Sequence, residues 1–277
     1  MEYRSILVHL DESERARTRL DLALHVAQRH GALVSALFAP GVLVHDADRL
    51  FAFDTEYWTR RQRDTEEQRR TLEHYFSSRL SEANLNGKWR TVAGNAQHEL
   101  LMHARFADLI VLGQSDPNDP HASLGNRFQA RVTLSAGRPV LWVPHVGAFP
   151  TVGERVAVAW DAGQSATRAL FDALPFMRLA KQTEIVTFTP VYKDRDRVPG
   201  ADIGLVLARH GIDVKVTPLH PLPMDSVGDG LLSRVENTGS DLLVMGAYGH
   251  ARWKELVLGG VTQTVLGGMS MPVLMSH

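Results

Sequence analysis

Gly246 and Gly249, followed after nine residues by Gly259-Gly260-Val261-Thr262, are the residues whose types and spacing most readily suit chemistry. The first two let the backbone turn tightly and present amide donors with no Cβ in the way, while Gly259 and Gly260 open a helix whose N-terminal amides and dipole favour an anion. Phosphate binding is the chemistry this implies. Thr262 adds a hydroxyl donor, and His250 and Arg252 stand inside the loop, either against the outer phosphates or as solvated side chains. Asp161 ends the apolar run Arg155–Trp160, where it is either a ligand contact or the N-cap of the next helix. No Walker lysine follows the glycine loop, so nothing is nominated to polarise a γ-phosphate for rapid transfer.

Other constellations fail on geometry. His98 and His103 flank a Glu99 but lie five positions apart, about 140° around a helix, so they do not share a face as zinc-protease ligands would. Gly113-Gln-Ser115 and Gly163-Gln-Ser165 lack the closing glycine of a nucleophile elbow. The absence of cysteine removes disulfides, thiolate catalysis and Cys-ligated zinc together, and suits a reducing compartment. With 30 Lys and Arg against 31 Asp and Glu, the net charge of −1 provides no field to recruit nucleic acid or an anionic membrane. No apolar run is long enough for a signal-peptide core or a membrane helix, and the cytoplasm is the expected compartment.

The elements that position these residues repeat once along the 277-residue chain, enough for about two domains. Ser5-Ile-Leu-Val-His-Leu-Asp11 returns 150 residues later as Arg155-Val-Ala-Val-Ala-Trp-Asp161; Asp108-Leu-Ile-Val-Leu-Gly113 and Pro139-Val-Leu141 return 133 residues later as Asp241-Leu-Leu-Val-Met-Gly246 and Pro272-Val-Leu274. The difference puts 17 extra residues in the first half, in a long helical pattern over 55–85 whose stripe Leu72, Tyr75, Phe76, Leu80 and Ala83 marks one buried face. Strands are expected at 4–9, 33–38, 89–92, 109–112 and 140–143, then at 155–160, 184–188, 213–217, 242–245 and 273–275. Helices alternate with them. Continuous apolar strands joined by crossover helices predict two α/β units, each a five-stranded parallel sheet, at 1–145 and 154–277, with Pro144, Gly147, Pro150 and Gly153 in the join.

Gly246-x-x-Gly249, nine residues, then Gly259 resembles the nucleotide signature of the universal stress protein family, as do the surrounding Asp241–His250 segment and the closing Met271-Pro-Val-Leu274. Gly260 departs from it, standing where the family has Ser or Thr; Thr262 is the nearest substitute. The resemblance implies an adenine-nucleotide alpha-hydrolase-like α/β sandwich. Its ATP-binding members hold the nucleotide between the first strand end, here Ala159, Trp160 and Asp161, the second strand, ending at Phe188, and the loop carrying Gly246, Gly249, His250, Arg252, Gly259, Gly260, Val261 and Thr262. It further implies ATP or another adenine nucleotide, with Mg²⁺, as ligand; the sequence itself nominates no catalytic residue, so at most slow ATPase activity is expected. The family pairs its units through their fifth strands, implying an internal pseudo-dimer of the halves and room for a homodimer. The first half departs further: Gly113 is followed by Gln-Ser-Asp-Pro-Asn-Asp-Pro120, which withholds donors and adds negative charge, so no nucleotide is expected there and Asp11 is read as a helix cap. Two readings remain, a nucleotide-binding sensor or regulator in the stress response and a nucleotide-free interaction protein working through paired surfaces.

Overall fold

Apolar runs with period-2 register and amphipathic helices alternate along the chain as the repeat requires. The computed structural model describes residues 2–40, 55–92, 94–116, 118–119, 121, 125–188, 200–219, 226–249 and 260–277. Two compact units divide between Arg138 and Pro139.

The N-terminal unit contains β1 (Ser5–Leu10), α1 (Ala16–His30), β2 (Leu33–Phe38), α2 (Thr55–Ala83), β3 (Gly87–Thr91), α3 (Ala96–Ala104), β4 (Leu109–Gly113) and α4 (Gly125–Ser135). Its strands are parallel in the order β3-β2-β1-β4, with Val8 opposite both Ala36 and Val111. The inserted helix α2 has the expected extent, burying Leu72 and Phe76, while its outer face is laced by Arg69 with Glu66 and Glu73. Hydrogen bonds from Arg69 and Arg70 hold the exposed Glu66 carboxyl down to about 2. Along its charged stretch α2 is mostly a solvated face laced by ion pairs within the helix, while Arg61 and Thr65 turn inward to the Glu12 carboxylate.

The C-terminal unit contains β5 (Val140–Val143), β6 (Arg155–Trp160), α5 (Gln164–Asp172), α6 (Leu174–Leu179), β7 (Gln182–Phe188), α7 (Ala201–Arg209), β8 (Val214–Leu219), α8 (Val227–Asn237), β9 (Leu242–Gly246), α9 (Gly260–Gly268) and β10 (Val273–Ser276). The order is β5-β10-β9-β6-β7-β8, all parallel except that β5 runs antiparallel to β10, with Trp142 opposite Val273 and Val140 opposite Met275. The expected pairing of the two fifth strands is present. It also moves the compact boundary: β5, wholly apolar and buried, groups with the second half, so the division falls at 138/139 instead of at the Pro- and Gly-rich join beyond it.

One charged pair lies under the C-terminal sheet. Glu184 on β7 is 3% exposed, and one carboxylate oxygen accepts from Thr217 on β8 and Arg234 on α8. Burial opposes its charge, yet these two bonds hold the carboxyl below its ordinary value. Because Arg234 is partly solvated, Arg234→Met is expected to destabilise the unit by about 1.5–3 kcal/mol, the worth of a hydrogen bond to a charged group. Urea unfolding checks this: the midpoint should fall, and Glu184→Gln added to Arg234→Met should cost little more.

Candidate functional site

In an open parallel sheet a ligand binds beyond the carboxyl ends of the strands where the strand order reverses. In the C-terminal unit that point lies between β6 and β9; of the nominated residues that are described, Ala159, Trp160 and Asp161 stand at the end of β6, and Gly246 and Gly249 at and just beyond the end of β9. Ala159 and Trp160 end β6 half-buried, and Asp161 follows exposed. The Asp161 Oδ1 accepts the Gly163 amide at 2.7 Å, and Gly163 is the N-cap of α5, so the aspartate braces the cap without occupying it. Ala162 between them has φ 62°, and Tyr248 across the cleft has φ 55°. Left-handed backbone at non-glycine residues is costly and collects at functional sites; of the three described residues with it, two flank this cleft.

The glycines divide their labour. A Cβ on Gly246, the last residue of β9, would overlap the backbone of Ser165 and Ala166 at the start of α5. This glycine therefore lets a strand end and a helix N-terminus touch, a packing role where the spacing suggested an amide donor. A Cβ on the exposed Gly249 would meet only the Ser165 side chain, its Oγ at 3.3 Å and its Cβ at 3.6 Å. Gly260 opens α9 and is exposed, with nothing within 4 Å of its Cβ position, whereas Val261 is half-buried. Thr262 is 4% exposed, and its hydroxyl accepts the Tyr248 amide at 3.3 Å, tying the glycine turn to α9. Burial pushes the Tyr248 phenol up to about 12, so it stays neutral at physiological pH. Phe188 ends β7, its side chain outside the described residues, as are His250, Arg252 and Gly259.

The N-terminal unit builds the same corner and fills it. His9 and Leu10 end β1 and Asp11 follows, all buried, beside β4, which ends at Gly113. Arg19, from α1 and 3% exposed, donates through Nε to His9 O at 2.7 Å and through Nη2 to Asp11 Oδ1 at 2.7 Å; a Cβ on Gly113 would collide with its Nη1. Its guanidinium lies at the strand-order reversal, where a ligand would sit. By the 150-residue offset, Arg19 corresponds to Ala169, which has no side chain to reach so far. Above it, the Glu12 carboxylate receives Arg61 and Thr65 of α2, and Glu14 N donates to Asp119 at 3.1 Å. Asp11 is therefore not the helix cap expected of it. Arg15 is the N-cap, and Asp11 instead accepts from Ser13 and pairs with Arg19.

Acid should unlock this corner. Burial lowers the pKa of His9, whose Nε2 donates to Ala39 O at 3.0 Å. Burial opposes the charge of Asp11, but Arg19, His9 and Ser13 hold its carboxyl below the ordinary 3.8. Both groups bind fewer protons folded than unfolded, so stability is present at neutral pH and declines as pH drops below the ordinary His9 value of 6.5, then further below 3.8. The protection factors of the β1 amides, in which the intrinsic pH dependence of exchange is divided out, should fall between about pH 7 and 5, and His9→Asn should flatten that part of the profile; wild-type protection factors independent of pH would contradict the assignment.

The sequence reading missed Arg19 and Ser165. Arg19 had a signal: it is a lone cation on the Ala16–Leu20–Ala23 face of α1, aligned with alanine in the other repeat. Ser165 had none, since only the fold brings it to Gly246.

Known proteins resemble this chain in both sequence and fold. The universal stress protein family model matches residues 223–277, the segment containing α8, β9, α9 and β10. A universal stress protein of Synechocystis is 30% identical over 173 residues, covering 60% of this chain and 57% of that protein, so the match spans little more than half of the relative. The crystal structure of a universal stress protein from Archaeoglobus fulgidus shares the fold over 98% of this chain and 97% of its own, with a TM-score of 0.73 at 18% identity. A functionally unknown protein from Pseudomonas aeruginosa does so over 99% and 92%, with a TM-score of 0.62 at 15% identity. Residues 223–277 thus match the universal stress protein family, and the whole chain shares the fold of a solved universal stress protein.

Proposed function

We propose that the C-terminal unit binds one adenine nucleotide, ATP, at the β6/β9 corner, and that the chain acts as a nucleotide-dependent sensor or regulator in the stress response. The observation that carries this is the asymmetry between the repeats. The same corner is plugged by Arg19 in the first unit and left with exposed Asp161, Gly249 and Gly260 in the second. The residues fit the ligand: the α9 N-terminus opens on Gly260, where a phosphate can approach backbone, and half-exposed Trp160 offers an aromatic face to a base. Among the described residues no group of three His, Asp or Glu could hold a metal, so Mg²⁺ would arrive on the phosphates. Among the described residues no helix is long and apolar enough to cross a membrane.

Turnover should be slow. Neither a general base nor a Walker lysine is nominated, so a rate at or above roughly 1 s⁻¹, within the ordinary enzyme range, would overturn the sensor reading.

Gly260→Ser supplies a direct test. The Cβ position is open, so the helix accepts the change, and the new hydroxyl stands at the N-terminus where phosphate is expected. A bond to a charged oxygen is worth about 1.5–3 kcal/mol, so ATP should bind roughly tenfold tighter or more by calorimetry. Unchanged or weaker affinity would place the phosphates elsewhere.

A further inference from the structure

We propose that the α3–α4 face of the N-terminal unit is a docking surface for an acidic protein segment bearing apolar side chains. It does not rest on the nucleotide reading. Phe106, just beyond α3, is 82% exposed, and Met102 one turn earlier and Leu134 near the end of α4 are 41% and 44% exposed. The helices α3 and α4 pack side by side. The turn carrying Phe106 lies at the amino edge of the sheet, where Phe106 O accepts from Ser5 Oγ at 3.4 Å, away from the carboxyl edge that holds the corner described above.

The repeat supplies an internal control. At the 133-residue offset, Met102, Phe106 and Leu134 correspond to Val235, Gly239 and Gly267. Val235 is fully buried, and the two glycines have no side chain. The fold therefore does not require large apolar groups there. The charges differ in the same places: exposed Arg105, Arg131 and Arg138 correspond to Thr238, Thr264 and Met271. From Gly125 to Arg138 there is no carboxylate, and the nearest acids are occupied or remote. Asp108 accepts from the Arg4 and Ser5 amides, and Glu99 lies at the opposite end of α3. An apolar centre rimmed by arginines is complementary to an acidic, apolar-anchored segment.

Charge selects this occupant over others. A second copy docking through the same face about a twofold would bring arginines against arginines. A bilayer needs projecting apolar groups, but only Phe106 projects strongly, and the chain's net charge of −1 gives no general attraction to anionic lipid.

The test is selection from a random-peptide display library against the full chain, with Phe106→Ser and Arg131→Glu as variants; both positions are exposed, so folding should survive, with circular dichroism as the control. Selected sequences should be rich in Asp and Glu with Phe or Leu, and should lose about tenfold or more in affinity to each variant. Binding should weaken with salt. Basic or neutral selections, or binders indifferent to both variants, would overturn the proposal. So would binding to phosphatidylserine vesicles, or a concentration-dependent dimer in sedimentation, that Phe106→Ser abolishes.

Discussion

Arg19→Met should cost the N-terminal unit about 3–5 kcal/mol, the usual penalty for leaving a buried charge without its partner. The methionine keeps much of the stem volume but leaves the Asp11 carboxylate, 3% exposed, with Ser13 and the neighbouring His9 and without its ion-pair partner, and removes the guanidinium donor from His9 O. Adding Asp11→Asn should recover a large part of the loss, because the amide still accepts from Ser13 while no charge remains to be paired. Amide exchange in β1 and β4 measures both variants. A single variant as stable as wild type would mean that the guanidinium does not hold this corner together.

Gly246→Val should remove ATP binding, with affinity falling roughly a hundredfold or more, and should destabilise the C-terminal unit by at least about 1–3 kcal/mol. The reason is steric. The new Cβ overlaps backbone atoms of Ser165 and Ala166, which cannot rotate away as a side chain would, so either α5 or the end of β9 must shift. That shift spreads the two elements that frame the cleft. Gly249→Val should be milder in stability, since its Cβ meets one side chain, that of Ser165, no closer than 3.3 Å. Calorimetry with parallel urea unfolding separates the effects; full affinity in folded Gly246→Val would remove this corner from the binding site.

Much of the fold was legible because it is local and repeated. The runs at 33–38, 140–143 and 155–160 are strands with those bounds, since continuous Val, Ile and Leu flanked by turn residues leave little else. Helix α2 was legible from its stripe, although only Leu72 and Phe76 are fully buried, because the rest of the stripe borders the helix's charged face. The grouping of β5 with the second half was not legible from domain-boundary signals, as Pro and Gly mark flexible chain but not which strand edges pair. At the site, spacing nominates the glycines as amide donors, but the packing role of Gly246 is not legible in it, since only three dimensions place Ser165 against that residue. Asp11 and Asp161 look alike in sequence, and both brace the turn two residues on. What separates them is Arg19 eight residues after Asp11, where the other repeat has Ala169.

In the proposed reading ATP binds the C-terminal repeat alone, because Arg19 fills the corresponding corner of the other repeat. Calorimetric titration of ATP into nucleotide-free full-length chain tests it most directly, run on wild type, Gly246→Val and Arg19→Met. One site per chain in wild type, lost in Gly246→Val and retained in Arg19→Met, is the predicted result; two equivalent sites, no site, or a single site that vanishes with Arg19 and survives at Gly246 would contradict it.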